Sequence, residues 1–159
     1  MKKIPFLIIF TLVFALFAGD IFAQSTAQPL KTFHDFTVKT IDGQDFNLAT
    51  LKRKKILVVN TATQCGLTPQ FAVLQKLYET LDTSKFVIIG FPANNFLEQD
   101  PGTNEEIYKW LTQKSLNGVL DTKIKWNFQK FLIDENGKLI GTLAPNVSEE
   151  INTIMQWLK

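Results

Sequence analysis

A strand, a helix and a second strand follow one another in the middle of the chain, and this order most constrains the fold. Residues 56–62 are almost continuously apolar, and residues 85–91 contain a second such run. Continuous apolar strands are typical of sheets that are covered on both faces. Between them, apolar side chains recur at helical spacing, namely Phe71, Leu74, Leu77, Tyr78 and Leu81. We therefore predict a βαβ unit with parallel strands and a right-handed crossover.

Shorter elements flank this unit. The pair Asp42-Gly43 lies between strand-like residues 36–39 and 44–46, which predicts an N-terminal β-hairpin. Residues 103–106, Thr-Asn-Glu-Glu, have capping-box character and predict the start of a further helix. Asn117-Gly118 interrupts the helical pattern that follows.

The C-terminal part of the chain has the pattern of a second hairpin and a last helix. Strand-like residues 128–133 and 138–143 flank a turn at 134–137. A terminal helix is indicated by Ser148, Ile151, Ile154, Met155 and Leu158. The sum is an α/β protein with the element order of a thioredoxin-like, three-layer α/β/α fold that carries an N-terminal β-hairpin.

The N-terminus has the pattern of a signal peptide. Lys2 and Lys3 precede an apolar stretch at residues 6–18, which is short for a membrane span. Ile21-Phe22-Ala23 offers a cleavage site, so we predict a signal peptide at 1–23 and a domain at 24–159. We expect a periplasmic or secreted protein without stable membrane association after cleavage. An uncleaved membrane anchor is the alternative.

Charge and composition narrow the classes of partner. The formal net charge of the 159 residues is +2, which does not suggest an electrostatic nucleic-acid binder. A single His and the lack of a Cys pair argue against a zinc or copper site built from soft ligands. The His, His34, lies far from the Cys in sequence, and we treat it as structural or exposed.

The only cysteine, Cys65, stands between the first apolar strand and the helix that follows. Unpaired N–H groups at a helix N-terminus favour a thiolate. We expect Thr68 to cap this helix, with Pro69 in its first turn. An odd thiol in an exported protein is reactive or forms intermolecular bonds. The alternative is a small buried hydrophobe, the usual role of a free Cys.

Three segments taken together identify a family. Residues 59–68 are Val-Asn-Thr-Ala-Thr-Gln-Cys-Gly-Leu-Thr, residues 90–102 are Gly-Phe-Pro-Ala-Asn-Asn-Phe-Leu-Glu-Gln-Asp-Pro-Gly, and residues 125–132 are Lys-Trp-Asn-Phe-Gln-Lys-Phe-Leu. In this order they resemble the glutathione peroxidase family, over nearly all of the chain from about Phe33 onward. The resemblance implies a thiol-dependent peroxidase that acts in the oxidative stress response.

The resemblance also implies the site. Cys65 corresponds to the peroxidatic cysteine or selenocysteine, Gln99 to the catalytic glutamine, and Trp126 and Asn127 to the Trp-Asn pair. Peroxide reduction needs a thiolate and a donor for the departing oxygen, and the Gln99, Trp126 and Asn127 N–H groups suit the second task. No metal or organic cofactor is implied. The co-substrate is an external thiol such as glutathione. Without the three motifs, Trp126 would be interpreted as a core residue, and Gln99 and Asn127 would be interpreted as polar loop residues.

Three departures from the family pattern limit these expectations. The chain has no resolving cysteine, and Ala93 stands where some members have another Cys, so an intramolecular disulfide is impossible. The segment between Ile107 and Trp126 is shorter than in the family, as an internal deletion would make it, and Leu97 stands where the family often has Gly. We expect a one-cysteine enzyme that is a monomer. The alternative is a thioredoxin-like binding module that the deletion has left catalytically impaired.

Overall fold

The computed structural model describes residues 29–62, 65–92, 105–145 and 150–159. The predicted signal peptide, Gln99, Ala93, Leu97, and the predicted helix starts at Thr103 and Ser148 lie outside these residues. Among the described residues, none of the helices is long and apolar enough to span a membrane.

The N-terminal hairpin forms as predicted. Strands β1 (Thr37–Lys39) and β2 (Asp45–Asn47) pair antiparallel, with Val38 opposite Phe46. Gly43 has a φ of 75°, a left-handed conformation that glycine adopts without steric cost. Single 3₁₀ turns precede and follow the hairpin, at Phe33–Asp35 and Leu48–Leu51.

The central sheet has four strands in the order β4-β3-β5-β6. Strand β3 (Lys55–Thr61) pairs in parallel with β4 (Phe86–Pro92), and helix α1 (Gln70–Thr80) connects them. The predicted βαβ unit is therefore present with parallel strands. Strand β5 (Lys130–Ile133) runs antiparallel to β3 and forms a hairpin with β6 (Leu139–Leu143).

The remaining helices complete the three layers. Helices α2 (Glu105–Thr112) and α3 (Lys114–Asn117) connect β4 to β5, and α4 (Glu150–Leu158) follows β6. Gly118 ends α3 with a φ of 75°, so the predicted helix break at Asn117-Gly118 is confirmed. Within the described residues, one continuous helix runs from Glu105 to Thr112 across the region where the sequence is shortened.

Alternate residues of β3 bury into two different apolar clusters. Ile56 and Val58 pack with the hairpin and α2, in a cluster that includes the fully buried Trp110. Leu57 and Val59 face the other way and pack with α1 and α4. Helices and hairpin thus cover both faces of the sheet, which confirms the three-layer α/β/α architecture.

Both strands of the C-terminal hairpin, β5 and β6, are shorter than predicted. Strand β5 begins at Lys130 rather than at residue 128, because Phe128 has a φ of 66° that no strand residue adopts. Strand β6 begins at Leu139, one residue late, because the backbone N–H of Lys138 bonds instead to the Asp134 carboxylate in the turn.

Candidate functional site

A turn carries Cys65 from the end of β3 towards α1. Successive backbone bonds, Thr68 N–H to the Cys65 carbonyl at 3.0 Å and Gln70 N–H to the Leu67 carbonyl at 2.9 Å, wind this turn into the helix. The thiol is half-buried against the α1 side of the sheet. The Leu67 N–H donates to the Cys65 Sγ at 3.5 Å. The predicted approach of a backbone N–H to this thiol is therefore present.

Thr68 does not cap α1, so that prediction is wrong. The residue at the N-cap position is Pro69, whose side chain has no polar atom to bond the helix. The Thr68 hydroxyl instead donates to the Cys65 carbonyl at 2.6 Å and accepts from the Cys65 N–H at 3.3 Å. Thr68 therefore stabilises the turn that presents the thiol, rather than the first turn of the helix.

The Trp-Asn pair lies in a second turn, directly beside the end of β3. The Phe128 N–H donates to the Asn60 carbonyl at 2.7 Å, and the Asn60 N–H donates to the Gln129 carbonyl at 3.2 Å. The Asn60 side chain adds a bond from Nδ2 to the Trp126 carbonyl at 3.3 Å. These three bonds fix the turn at residues 126–128, called here the Trp-Asn turn, to the strand that leads to Cys65.

The sheet topology brings all three sequence motifs to one edge. Because β3 and β4 are parallel, with Thr61 opposite Pro92, the segments that follow them leave from the same end of the sheet. Strand β5 is antiparallel to β3, so the Trp-Asn turn, which precedes β5, lies at that same end. Gln99 itself is outside the described residues, and the last described residue before it, Pro92, lies opposite Thr61 of β3.

The shortened connection is organised around one asparagine. The Asn117 amide donates to the carbonyls of Trp110 and Leu120, and its oxygen accepts from the Val119 and Leu120 N–H groups. The Thr122 N–H then bonds to the Thr112 carbonyl at 2.9 Å. This corner returns the chain to the sheet, so the Trp-Asn turn reaches β3 despite the shorter sequence.

Two side chains of the Trp-Asn turn, those of Trp126 and Asn127, are more exposed than a core residue would be. Trp126 is 54% exposed, so the alternative in which it belongs to the core is wrong. Asn127 is half-buried. Phe128 is fully buried and packs edge-on against Phe71 of α1, with ring centroids 5.1 Å apart. The aromatic contact connects the Trp-Asn turn to the helix that follows Cys65.

His34 takes no part in this site. It is buried beside the β5–β6 turn, where a Cβ on Gly137 would lie 2.7 Å from its Nδ1 atom. Burial, and then the nearby Lys52 charge, lower its pKa from 6.5. His34 is therefore structural rather than exposed. The described residues contain no group of three His, Cys, Asp or Glu side chains that could hold a metal ion.

Sequence reasoning missed four polar residues that support the site. They are Asn60, Gln70, Gln129 and Lys130. Asn60, Gln129 and Lys130 interrupt apolar strand-like runs, which was the available signal, whereas no such signal marks Gln70. All four are buried, and each forms a hydrogen bond to a residue distant in sequence or across the Trp-Asn turn.

Comparisons with known proteins agree with this geometry. Residues 33–131 match the family model described as glutathione peroxidase. The chain is 38% identical over 146 positions to the glutathione peroxidase of Lactococcus lactis, covering 74% of this chain and 92% of that protein. Since 74% of 159 residues is about 118, about 28 of the 146 aligned positions have no residue here, consistent with the shortened segment.

Solved structures support both the fold and the family. The crystal structure of Trgpx in apo form superposes with a TM-score of 0.65 at 32% identity, covering 80% of this chain and 95% of that one. A thioredoxin-family thiol:disulfide interchange protein from Chlorobium tepidum gives a TM-score of 0.51 at 25% identity, covering 82% of this chain and 97% of that one. The fold is thus thioredoxin-like, and the chain belongs to the glutathione peroxidase family of peroxide-reducing oxidoreductases.

Proposed function

We propose that this peroxidase reduces hydrogen peroxide or organic hydroperoxides through a sulfenic acid at Cys65. The observation that carries the proposal is the convergence of the Cys65 turn, the Trp-Asn turn and the end of β4 at one edge of the sheet. The Cys65 thiol is half-buried and accepts a backbone N–H, and Trp126, in the Trp-Asn turn at the same end of the sheet, faces solvent. This combination suits attack on a small oxidant from solvent.

The oxidative step moves two electrons from sulfur to the peroxide. The Cys65 thiolate attacks one peroxide oxygen, an S–O bond forms, and the O–O bond breaks. The departing oxygen takes a proton and leaves as water or an alcohol. Gln99, Trp126 and Asn127 are the proposed donors that stabilise the developing negative charge on that oxygen.

Reduction requires thiols from outside the chain. The sequence holds one Cys, so the sulfenic acid has no internal thiol with which to condense. A first external thiol forms a mixed disulfide with Cys65 and releases water. A second thiol attacks that disulfide, which restores the Cys65 thiol and releases the oxidised co-substrate. Glutathione or another small thiol, or a thiol protein, fits this role, and no metal or organic cofactor is required.

We also propose that the enzyme works outside the cytoplasm. The support is the sequence pattern of residues 1–23, a basic start followed by a short apolar stretch and a small residue at the cleavage site. The first residue of the mature protein, determined by N-terminal sequencing after export, tests the proposed cleavage after Ala23. A protein that retains residues 1–23 in the membrane contradicts it.

A sulfenic-acid trap tests the proposed chemistry directly. Purified mature protein receives one equivalent of hydrogen peroxide in the presence of a dimedone-type reagent, and mass spectrometry locates the adduct. We expect a single adduct on Cys65. A folded protein whose Cys65 stays unmodified would contradict the peroxidase mechanism and favour the thioredoxin-like binding module.

A further inference from the structure

A lysine is buried between the two turns that form the site. Lys130, the first residue of β5, is 2% exposed, and its Nζ donates to the Gln70 side-chain oxygen at 2.9 Å. Gln70 is the first residue of α1 and is 4% exposed. Lysine is almost never fully buried unless it is paired, because its charge loses hydration. This contact therefore needs an explanation beyond packing.

The register of the sheet places the lysine side chain on the Cys65 side. Lys130 lies opposite Val59 in the β3–β5 pairing, and residues paired in this way point to the same face. Val59 belongs to the cluster on the α1 face, against which Cys65 also packs. The Lys130 ammonium group therefore extends into the layer that holds the start of α1 and the thiol.

Further hydrogen bonds extend this contact to both turns. The Gln70 Nε2 donates to the Pro145 carbonyl at 2.6 Å, which fixes the start of α1 to the segment after β6. On the other side, Gln129 accepts from the Lys125 N–H at 3.0 Å and donates to the Thr142 hydroxyl at 3.1 Å. The segment 125–130 and the start of α1 are thus both anchored, and the Lys130–Gln70 bond connects them.

We propose that Lys130 and Gln70 are positioning residues that set the Cys65 turn against the Trp-Asn turn. This inference rests on the proposed function, in which the Trp126 and Asn127 donors must reach the peroxide oxygen that departs when Cys65 is oxidised. Gln70 begins the helix that follows the Cys65 turn, and Lys130 begins the strand that follows the Trp-Asn turn. A misplacement of about 1 Å between reacting groups can slow a reaction about 100-fold.

Stability alone does not account for this arrangement. Replacing a buried ionic group by an apolar residue of similar volume is often neutral or stabilising. If the bond were purely structural, the loss caused by removing one partner would therefore be recovered when both partners are removed together. If the bond positions the two turns, the peroxide rate would not be recovered, because the apolar pair fills the space without holding the turns at a fixed distance.

The test compares two reagents that place different demands on the site. Lys130→Met, Gln70→Met, the double variant and Lys130→Arg are reacted at Cys65 with hydrogen peroxide and with methyl methanethiosulfonate, a neutral reagent that needs no proton donor from the Trp-Asn turn. Lys138→Met is the matched control, since Lys138 is exposed in the β5–β6 turn. Thermal unfolding of each variant reports its stability.

The inference predicts a selective effect on peroxide. In Lys130→Met, and in the double variant even where stability recovers, peroxide oxidation of Cys65 slows at least about tenfold, while the methanethiosulfonate rate changes less than about twofold. Lys130→Arg regains part of the peroxide rate, and Lys138→Met changes neither rate. An unchanged peroxide rate in Lys130→Met would overturn the inference. So would an equal loss for both reagents, which would indicate an effect on the thiol itself.

Amide hydrogen exchange gives a readout that does not depend on peroxidase activity. The Leu67 and Phe128 N–H groups, one in each turn, should exchange about tenfold faster in Lys130→Met than in wild type or Lys138→Met. If wild-type Cys65 proves inert to peroxide, the proposed function fails, and the exchange result still decides the positioning role. Unchanged exchange in both turns would overturn it.

Discussion

The Phe128 N–H donates a hydrogen bond to the Asn60 carbonyl over 2.7 Å. This bond joins the Trp-Asn turn to the strand that ends just before Cys65. The Asn60 side chain strengthens the junction through its bond to the Trp126 carbonyl. The Trp-Asn turn is therefore held against β3 by bonds that do not involve the shortened connection between Ile107 and Trp126.

The Asn60 side chain should matter more for activity than for stability. Asn60→Ala removes the Nδ2 bond to the Trp126 carbonyl, worth about 1 kcal/mol. It also removes the buried Oδ1 atom, which has no hydrogen-bond partner in the described part of the chain, and this offsets some of the loss. We expect a change in the free energy of unfolding of less than about 1 kcal/mol. Peroxide oxidation of Cys65 should slow several-fold, measured by stopped-flow fluorescence. A loss of stability as large as the loss of activity would contradict the prediction that the Asn60 side chain acts mainly on activity.

Trp126 is expected to act as a donor rather than as a packing residue. Trp126→Phe keeps an aromatic ring on a residue that is 54% exposed, so the melting temperature should change little. Loss of the indole N–H should slow the peroxide step by about 100-fold, the usual effect of removing one donor to a developing anion. Trp157→Phe in α4 is the control and should keep the wild-type rate. Equal rates for Trp126→Phe and wild type would remove Trp126 from the mechanism.

Phe128 should be the most important apolar residue of the Trp-Asn turn for stability. Its left-handed backbone costs about 1–2 kcal/mol, but its fully buried ring packs against Phe71. Phe128→Ala should destabilise the protein by about 3–5 kcal/mol in urea unfolding. Phe71→Ala removes a ring that is 39% exposed and should cost distinctly less. The reverse order would show that the ring of Phe128 does not fix the turn.

His34 should make stability depend on pH in the weakly acidic range. Burial lowers its pKa below 6.5, so the folded state favours the neutral imidazole and the unfolded chain takes up the proton more readily. The contribution of neutral His34 to the free energy of unfolding is therefore fully present above pH 6.5, and it is lost as the pH drops towards the lowered pKa. Urea unfolding between these limits measures it. His34→Gln should flatten the curve there; an unchanged slope would contradict the assignment of this pH dependence to His34.

The sequence predicted the layers of this fold because they depend on local apolar patterns. Strand β3 appeared as a continuous apolar run, α1 as a helical repeat and Gly118 as a helix stop, and each forms close to its predicted bounds. These features arise from residues that are near each other in the chain. The same is true of the hairpin at Asp42-Gly43.

The parts that sequence reasoning missed depend on contacts between distant residues. Thr68 fits a helix cap by type, but the short turn gives its hydroxyl nearer partners on Cys65. Phe128 fits a strand, but its bond to Asn60 imposes a turn. The Lys130–Gln70 bond joins residues 60 positions apart, and no local pattern reveals it. Assignment of Cys65, Gln99, Trp126 and Asn127 came from the family motifs, not from periodicity.

In the proposed reaction, Cys65 reduces peroxide with electrons from an external thiol. The most direct test is the steady-state consumption of hydrogen peroxide by the purified mature protein with glutathione or another small thiol, for wild type and Cys65→Ser. We expect turnover by wild type that needs the thiol, and a fall to the uncatalysed background in Cys65→Ser, with both proteins equally folded. Equal rates for the two proteins would contradict it.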